Sequence, residues 1–99
     1  MAALYLLQDK YLFIPDNESV ANPNPTTGAV DITFNEPPLS LTVEILSVTG
    51  QIKYRREYNE YAGRTIRITE LGNLEQGIYF IRLIKENGID VHKIIKVDN

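Results

Sequence analysis

The stretch Ala29-Val30-Asp31-Ile32-Thr33-Phe34-Asn35 alternates strictly between apolar and polar side chains. Successive side chains of an extended chain point to opposite faces, so the apolar members of this stretch share one face. This period of two predicts a strand that is buried on one face and solvated on the other. The same alternation, or a short apolar run, predicts further strands at residues 39–45, 51–58, 65–69, 78–86 and 89–97.

Turn residues separate these predicted strands. Asn87 and Gly88 stand between two apolar runs, and this dipeptide is a strong hairpin signal because both central residues of a type I′ turn need positive φ. About seven short strands with turns between them predict an all-β fold, an antiparallel immunoglobulin-like β-sandwich without the cysteine pair and tryptophan of antibody domains. The side chains expected in the core or closing one end of it are Tyr79, Ile81, Leu83, Leu71 and Leu74.

Residues 1–21 are predicted to form an N-terminal segment or linker from an upstream region, ahead of a domain at residues 22–99. Residues 4–14 are consistent with an edge strand, with a small hairpin around Asp9 and Lys10, or with the end of a preceding domain. The polar residues 15–19 are typical of a linker. The apolar start of the chain lacks a basic region, so it is predicted to be neither a signal peptide nor a membrane span. If the protein acts outside the cell, its export signal is expected in a longer precursor.

Length and composition restrict the classes of function. The 99 residues allow one domain with a modest core. A formal net charge of -3 argues against binding to nucleic acid or to anionic lipid, because the overall field repels polyanions. The absence of cysteine from the sequence excludes disulfides, zinc thiolate sites and thiol catalysis.

Residues that could support catalysis are few. His92 is the only histidine in the sequence, so neither a Ser-His-Asp triad nor a multi-histidine metal site is expected. His92 is predicted to lie at the surface or rim of a strand. Asp31, Glu36 and Glu44 lack the spacing of a calcium loop and are predicted to be solvated. We therefore predict no catalytic residue, no metal, no cofactor and no small-molecule substrate, and hence a protein that is not an enzyme.

A group of tyrosines and arginines suggests an alternative function. Aromatic and arginine side chains together bind sugars or other proteins, so this patch is consistent with a fibronectin-like adhesion or carbohydrate-binding module of a secreted protein. The strand alternation instead favours two of the tyrosines in the core and the arginines on a solvated face, with Arg56 near a sheet edge. The residues of the patch are Tyr54, Arg55, Arg56, Tyr58, Tyr61 and Arg64.

Four short motifs follow one another from residue 23 onward. A Pro-Asn-Pro turn with a following threonine and glycine comes first, then Ser-x-x-Gly, then Leu-x-x-Gly-x-Tyr, and last a short apolar strand with two lysines. In that order their residues are Pro23, Asn24, Pro25, Thr26 and Gly28; Ser47 and Gly50; Leu74, Gly77 and Tyr79; and Lys93, Ile94, Ile95, Lys96 and Val97. With these motifs, residues 22–97 resemble the C-terminal sorting domain of the type IX (Por) secretion system, which is found on proteins exported across the outer membrane of Bacteroidetes. The family usually has aspartate where this chain has serine. The serine weakens the second motif but leaves its position unchanged.

The resemblance implies a non-catalytic sorting signal that directs a cargo protein across the outer membrane. It implies as partners the outer-membrane secretion translocon and a sortase-like protease that cuts in the linker ahead of the domain, where residues 15–22 are expected to be accessible. The cargo is then expected to be secreted or held at the cell surface after passing through the periplasm. Residues 93–97 are expected to be the recognition strand, with Lys93 and Lys96 presented to a receptor together with exposed backbone.

The other motif residues are expected to be structural. Pro23 and Pro25 are expected to give a stiff, extended approach to the domain that avoids pairing with a neighbouring strand. Gly77 is expected to allow a tight turn before Tyr79 enters the core with its hydroxyl at the rim. The serine of the second motif is expected to make a weaker form of the side-chain-to-backbone bond that aspartate makes. The signature residues are Pro23, Asn24, Pro25, Gly28, Gly50, Gly77 and Tyr79.

Overall fold

The chain folds into β-strands joined by short turns. The computed structural model describes residues 2–7 and 10–98. These residues hold one 3-10 helix, at Glu70–Asn73, and no helix that is long and apolar enough to cross a membrane. Their nine strands are β1 (Ala3–Leu7), β2 (Lys10–Ile14), β3 (Ser19–Asn22), β4 (Val30–Phe34), β5 (Leu39–Ser47), β6 (Ile52–Tyr61), β7 (Thr65–Ile68), β8 (Gly77–Lys85) and β9 (Gly88–Lys96).

Seven of these strands form two antiparallel sheets. The strand order is β3-β4-β7 in one sheet and β6-β5-β8-β9 in the other. The prediction of an all-β fold is therefore confirmed, with sheets of three and four strands. β1 and β2 pair as a separate hairpin, which is one of the three structures with which residues 4–14 are consistent. Gln8 and Asp9 lie outside the described part of the chain.

The strictly alternating stretch forms β4, at the centre of the three-stranded sheet. Val30, Ile32 and Phe34 are at most 1% exposed, whereas Thr33 on the opposite face is exposed. Ile32 pairs with Ile66 of β7, so the apolar faces of the two strands coincide. This is the burial that the period of two predicts.

The main core lies between the inner faces of the two sheets. Tyr79, Ile81 and Leu83 of β8 belong to it, as predicted. Leu71 of the 3-10 helix is fully buried in the same cluster and Leu74 packs against it, also as predicted. Fully burying one aliphatic side chain contributes about 1.5–3 kcal/mol, so this cluster is the main source of stability for the fold.

A second, smaller apolar cluster lies on the outer face of the four-stranded sheet. Phe80 is fully buried there together with Leu46 of β5 and Val91 of β9. Ile14, at the end of β2, packs against this cluster, so the N-terminal hairpin covers part of the outer face. The alternation along β8 predicts that the neighbours of Phe80 lie in the core, but it does not predict burial of Phe80. A pattern that marks one face of a strand as buried gives no sign of a cover on the other face.

Glu44 contradicts the prediction that the acidic side chains are solvated. It is 5% exposed on central strand β5. The strand register places Arg55 of β6 and Arg82 of β8 opposite it, with Arg55 Nε 3.5 Å and Arg82 Nη2 2.7 Å from its carboxylate oxygens. The charge is buried because each neighbouring strand supplies a guanidinium to pair with it. Asp31 and Glu36 remain at least partly exposed, as predicted.

The cover over the second cluster can be tested by truncating its largest side chain. We expect Phe80→Ala to lower the free energy of unfolding by about 3–5 kcal/mol, because it leaves a cavity beneath the hairpin. Ile89→Ala is the matched control, since Ile89 lies in the same sheet but is 48% exposed, and its cost is expected to be within about 0.5 kcal/mol. Urea unfolding followed by circular dichroism measures both. Equally small costs would contradict the burial of Phe80.

Candidate functional site along strand β9

β9 lies at one edge of the four-stranded sheet and pairs with β8 along its length. Its side chains alternate in burial. Ile94 is fully buried in the core, whereas Ile95 is 39% exposed and Val97, just beyond the strand, is 37% exposed. Lys93 is also exposed. Three of the five residues predicted to form the recognition strand therefore have side chains at the surface.

Lys96 does not present its charge at the surface, which corrects the prediction made for it. It is 5% exposed, and its Nζ donates a hydrogen bond of 2.9 Å to the carbonyl oxygen of Leu74. The same nitrogen lies 3.7 Å from the carboxylate of Asp98. Lys96 is two positions from Ile94 and so shares its inward face of the strand. Its stem runs inward, and its ammonium group fastens β9 to the loop after the 3-10 helix.

The backbone of β9 is also less exposed than predicted, because two asparagines supply partners along its outer edge. The Asn17 side chain accepts a hydrogen bond from the amide of Val91 at 2.8 Å and donates one to the carbonyl of Val91 at 2.7 Å. The Asn24 side chain donates to the carbonyl of Lys93 at 2.7 Å and accepts from the amide of Ile95 at 2.9 Å. Each side-chain amide thus takes the place of a peptide group in a neighbouring strand.

Thr26 continues this edge with its own backbone. Its N–H donates to the carbonyl of Ile95 and its carbonyl accepts from the amide of Val97, both at 2.9 Å, which makes a short parallel bridge. Its hydroxyl donates to the carbonyl of Ala29 at 2.6 Å and accepts from the amide of Gly28 at 3.0 Å. Thr26 therefore connects β9 to the turn that leads into β4.

Pro23 and Pro25 flank Asn24, and both peptide bonds that precede these prolines are cis. The expectation that this segment avoids pairing with a strand is wrong, because Asn24 and Thr26 bind the outer edge of β9. Proline has no amide proton, so neither flanking residue can add a backbone donor of its own. The bonding to β9 at this point is made by the asparagine side chain between them.

Residues 15–19, predicted to be a linker, and residues 15–22, expected to be accessible, are in part bonded to strands. β3 pairs with β4 from Ser19 to Asn22, and it lies across the predicted domain boundary between residues 21 and 22. Asn17 is held by β9, as described above. Asp16 and Glu18, on either side of it, are exposed. The polar composition of this stretch reflects bonds to neighbouring strands and not only solvation.

Two signature glycines are required for different reasons. A Cβ atom at Gly28 would lie 3.0 Å from the Cα atom of Gly72, so a side chain there would push against the neighbouring backbone. Gly50 has φ of +83°, a conformation that side chains disfavour, and it ends the turn that Ser47 begins. The Ser47 hydroxyl accepts a hydrogen bond of 3.2 Å from the amide of Gln51. Serine thus makes the side-chain-to-backbone bond expected of it in this turn.

Tyr79 enters the core as predicted and keeps a partner for its hydroxyl. The ring is 8% exposed, and the hydroxyl donates to the carbonyl of Glu75 at 2.8 Å. Burial raises the pKa of Tyr79, and the nearby Glu75 carboxylate adds to the effect. Gly77 begins β8 with φ of +153°, so the turn before the tyrosine is made at a residue without a side chain.

A buried polar cluster joins β3 to the strands β8 and β9. The Ser19 hydroxyl bonds to the carboxylate of Asp90 and lies 2.8 Å from His92 Nε2. Asp90 is 1% exposed, pairs with Lys85 Nζ at 3.1 Å and accepts from the amide of Glu18 at 3.2 Å. Serine, histidine and aspartate meet here, but the serine holds the central place that histidine holds in a hydrolytic triad. The cluster therefore binds strands together and is not arranged for nucleophilic catalysis.

His92 is half-buried at the rim of the sandwich, as predicted. Burial lowers the pKa of His92, and the nearby Asp90 carboxylate opposes part of that effect. The imidazole is therefore neutral at and above neutral pH. Across residues 2–7 and 10–98, no three histidine or acidic side chains are grouped so that they could hold a metal ion.

The tyrosines and arginines of the alternative patch do not form a flat platform for sugars. Three tyrosines pack against the main core, namely Tyr54, Tyr58 and Tyr61. The rings of Tyr58 and Tyr61 meet edge to face at 73°, with centroids 5.6 Å apart. The Arg56 guanidinium lies 4.8 Å from the centre of the Tyr58 ring at the exposed edge strand, as predicted for it. Arg55 is instead bound to Glu44.

The close approach at Gly28 predicts a difference between two alanine variants. We expect Gly28→Ala to lower the free energy of unfolding by about 1–3 kcal/mol, because the added methyl group forces two backbone segments apart. Gly72→Ala is the matched control, since its Cβ would lie at an ordinary 3.9 Å from the Gly28 Cα atom. Thermal unfolding measures both variants. Equal melting temperatures would contradict the close approach.

Acidification is expected to destabilise the fold through His92. The unfolded chain takes up a proton at this residue as the pH falls through about 6.5. Burial keeps the folded-state pKa lower, so below that pH the unfolded state binds more protons and stability falls. Between about pH 8 and about pH 5.5, we expect His92→Gln to lose less unfolding free energy than the unsubstituted chain. Equal losses in urea titrations would assign the acid sensitivity to other groups.

Comparison with known proteins identifies the family. The family model described as the secretion system C-terminal sorting domain matches residues 21–97, which is well over half of the chain. A search of curated proteins finds no match. The matched region contains β4 to β9, together with Asn24 and Thr26, which bind the outer edge of β9. The chain therefore belongs to the C-terminal sorting domains of the type IX secretion system, which are non-catalytic signals for translocation of a cargo protein across the outer membrane.

Proposed function

We propose that the outer-membrane secretion translocon reads this domain at residues 93–97, and that a sortase-like protease then removes it from its cargo. Membership of the family implies a cargo that is secreted or displayed on the cell surface. The finer steps belong to the proposal: the domain passes through the periplasm as part of a larger precursor, is bound at the outer membrane, and is cut from the cargo.

The strand order supports an immunoglobulin-like topology as part of this proposal. Strands β3, β4 and β7 form one sheet, and β5, β6, β8 and β9 form the other. The chain crosses between the sheets after β4, after β6 and again after β7, as Greek-key sandwiches do. This arrangement places β9 at a sheet edge, where its outward side chains are accessible to a receptor.

The observation that carries the recognition proposal is the alternation of burial along β9. Lys93, Ile95 and Val97 are exposed, whereas Ile94 and Lys96 are buried and anchor the strand. A receptor would therefore meet one cation and two aliphatic side chains on a strand that is held in place. Because its outer backbone groups are already bonded, reading the strand depends on side chains rather than on strand addition.

The site of cleavage is proposed to lie just ahead of Asn17. From this asparagine onward the chain is bonded to β9 and then to β4, so a protease would have to detach it before cutting. Asp16 is exposed and lies between the end of β2 and this bonded region. A cut here separates the sandwich from whatever precedes it without breaking any strand of the two sheets.

A reporter fusion in a Bacteroidetes host with a type IX system tests the recognition proposal. The triple variant Lys93→Glu, Ile95→Ser and Val97→Ser changes the exposed side chains of β9 and leaves the buried anchors in place. We expect surface delivery of the reporter to fall by about tenfold or more, the effect of losing about 1.4 kcal/mol of binding. Cell-surface immunodetection, with the retained precursor measured in the periplasm, gives the readout.

The matched control makes equivalent changes elsewhere in the four-stranded sheet. Lys53→Glu, Ile52→Ser and Val48→Ser alter one exposed cation and two exposed aliphatic side chains at β6 and the turn before it. Delivery of this control should match that of the unsubstituted fusion. If both triple variants retain unfolding curves like the parent and both are delivered normally, residues 93–97 are not the recognition strand.

A further inference from the structure

The outer edge of β9 is bonded largely by side chains that come from outside its own sheet. β3 belongs to the opposite sheet, where it pairs with β4. Asn17 lies before β3 and Asn24 lies after it, and both reach across to β9 with their amides. These two side chains bind four backbone groups of β9 between Val91 and Ile95.

Such protection has a clear physical purpose. An edge strand with unpaired N–H and C=O groups is a template for pairing with another chain, and proteins block it with charges, prolines, bulges or a covering segment. The other edge strand of this sheet, β6, carries exposed charges at Lys53, Arg55 and Glu57. β9 has one exposed charge, Lys93, and exposed aliphatic side chains at Ile89, Ile95 and, just beyond it, Val97, whereas β6 exposes one aliphatic side chain, Ile52. It therefore needs its backbone groups covered more than β6 does.

We propose that Asn17 and Asn24 prevent β9 from pairing with β9 of a second copy of this chain. An asparagine amide bonds one donor and one acceptor of the strand edge. Unlike a paired strand, it has no further backbone groups to which another strand could bond. Both asparagines reach β9 by side chain alone, so their loss exposes backbone groups without removing a strand. The proposal concerns self-association and is independent of which receptor recognises the domain.

The sequence of β9 suits pairing between two copies about a two-fold axis. In an antiparallel register centred on His92, Val91 lies opposite Lys93 and Ile89 lies opposite Ile95. The central bonds then use backbone groups of Val91 and Lys93, which Thr26 does not bind. This register places no two lysines opposite each other, and it sets Ile89 against Ile95. An isologous contact of this kind closes on itself, so a dimer is the expected product.

The double variant Asn17→Ala and Asn24→Ala tests the proposal in the full chain. Amide hydrogen exchange, read at Val91 and Ile95, should accelerate by about tenfold or more at low protein concentration, where dimers are not populated. Sedimentation velocity from about 10 μM to about 1 mM should then show a dimer that grows with concentration, since pairing follows mass action. The unsubstituted chain should remain monomeric over the same range.

Two further variants make the outcome specific. Asn59→Ala with Asn73→Ala alters two exposed asparagines on β6 and in the 3-10 helix, and it should change neither exchange nor sedimentation. Adding Ile95→Pro to the double variant removes one outward amide from the proposed contact, so the dimer should weaken.

Two results would overturn the proposal. Exchange at Val91 and Ile95 that does not change in the double variant would show that the asparagines do not protect the edge. Faster exchange with a protein that stays monomeric at about 1 mM would show that the exposed edge does not pair. If the double alanine variant fails to fold, Asn17→Asp with Asn24→Asp keeps the acceptors and removes the donors. The aspartate variant should form more dimer than the unsubstituted chain, but less than an edge with all of its backbone groups exposed. A strictly monomeric aspartate variant would also overturn the proposal.

Discussion

Backbone groups at the edge of a sheet need hydrogen-bond partners. The outer edge of β9 receives them from residues that lie about seventy positions earlier in the chain. Asn17, Asn24 and Thr26 bond six backbone groups between Val91 and Val97. These bonds hold β3 beside β9, although the two strands belong to different sheets. They close one side of the sandwich, and the remaining space between the two strands is filled by the buried cluster around Asp90.

This closure is consistent with the different environments of the side chains on the two faces of β9. Side chains on the inner face, such as Ile94 and Lys96, hold β9 in the fold through the core and the loop after the 3-10 helix. Side chains on the outer face, such as Lys93 and Ile95, are exposed. The proposed recognition of this strand would therefore require no unfolding of the domain. The Pro-Asn-Pro motif contributes by placing Asn24 against β9, which is a more specific task than stiffening the chain.

Much of the fold could be predicted from the sequence, because the alternation of apolar and polar residues within a strand indicates which of its faces is buried. The alternation in β4 and the Asn-Gly turn between β8 and β9 depend on residues that are close together in the chain. The ordered motifs also identified the family, which the match over residues 21–97 confirms. The buried ring of Phe80 was missed because its cover, the N-terminal hairpin, is distant in sequence.

The details of the site depended on contacts that no local pattern reveals. Glu44 is buried because the register sets an arginine on each side of it, and register is a property of three strands together. Lys96 is buried because a carbonyl in another loop accepts a hydrogen bond from its ammonium group. The stretch around Asn17 has the polar composition of a linker. Its bond to β9 spans more than seventy positions, so no local pattern in the sequence indicates it.

Hydrogen exchange on the unsubstituted chain, measured amide by amide with NMR, tests the closed edge most directly. Val91, Ile95 and Val97 direct their amides away from β8, towards the two asparagines and Thr26. The structure predicts that these outward amides are protected to a degree comparable with the inward amide of Ile94. Exchange of the outward amides at the rate of an unfolded peptide, with Ile94 still protected, would contradict it.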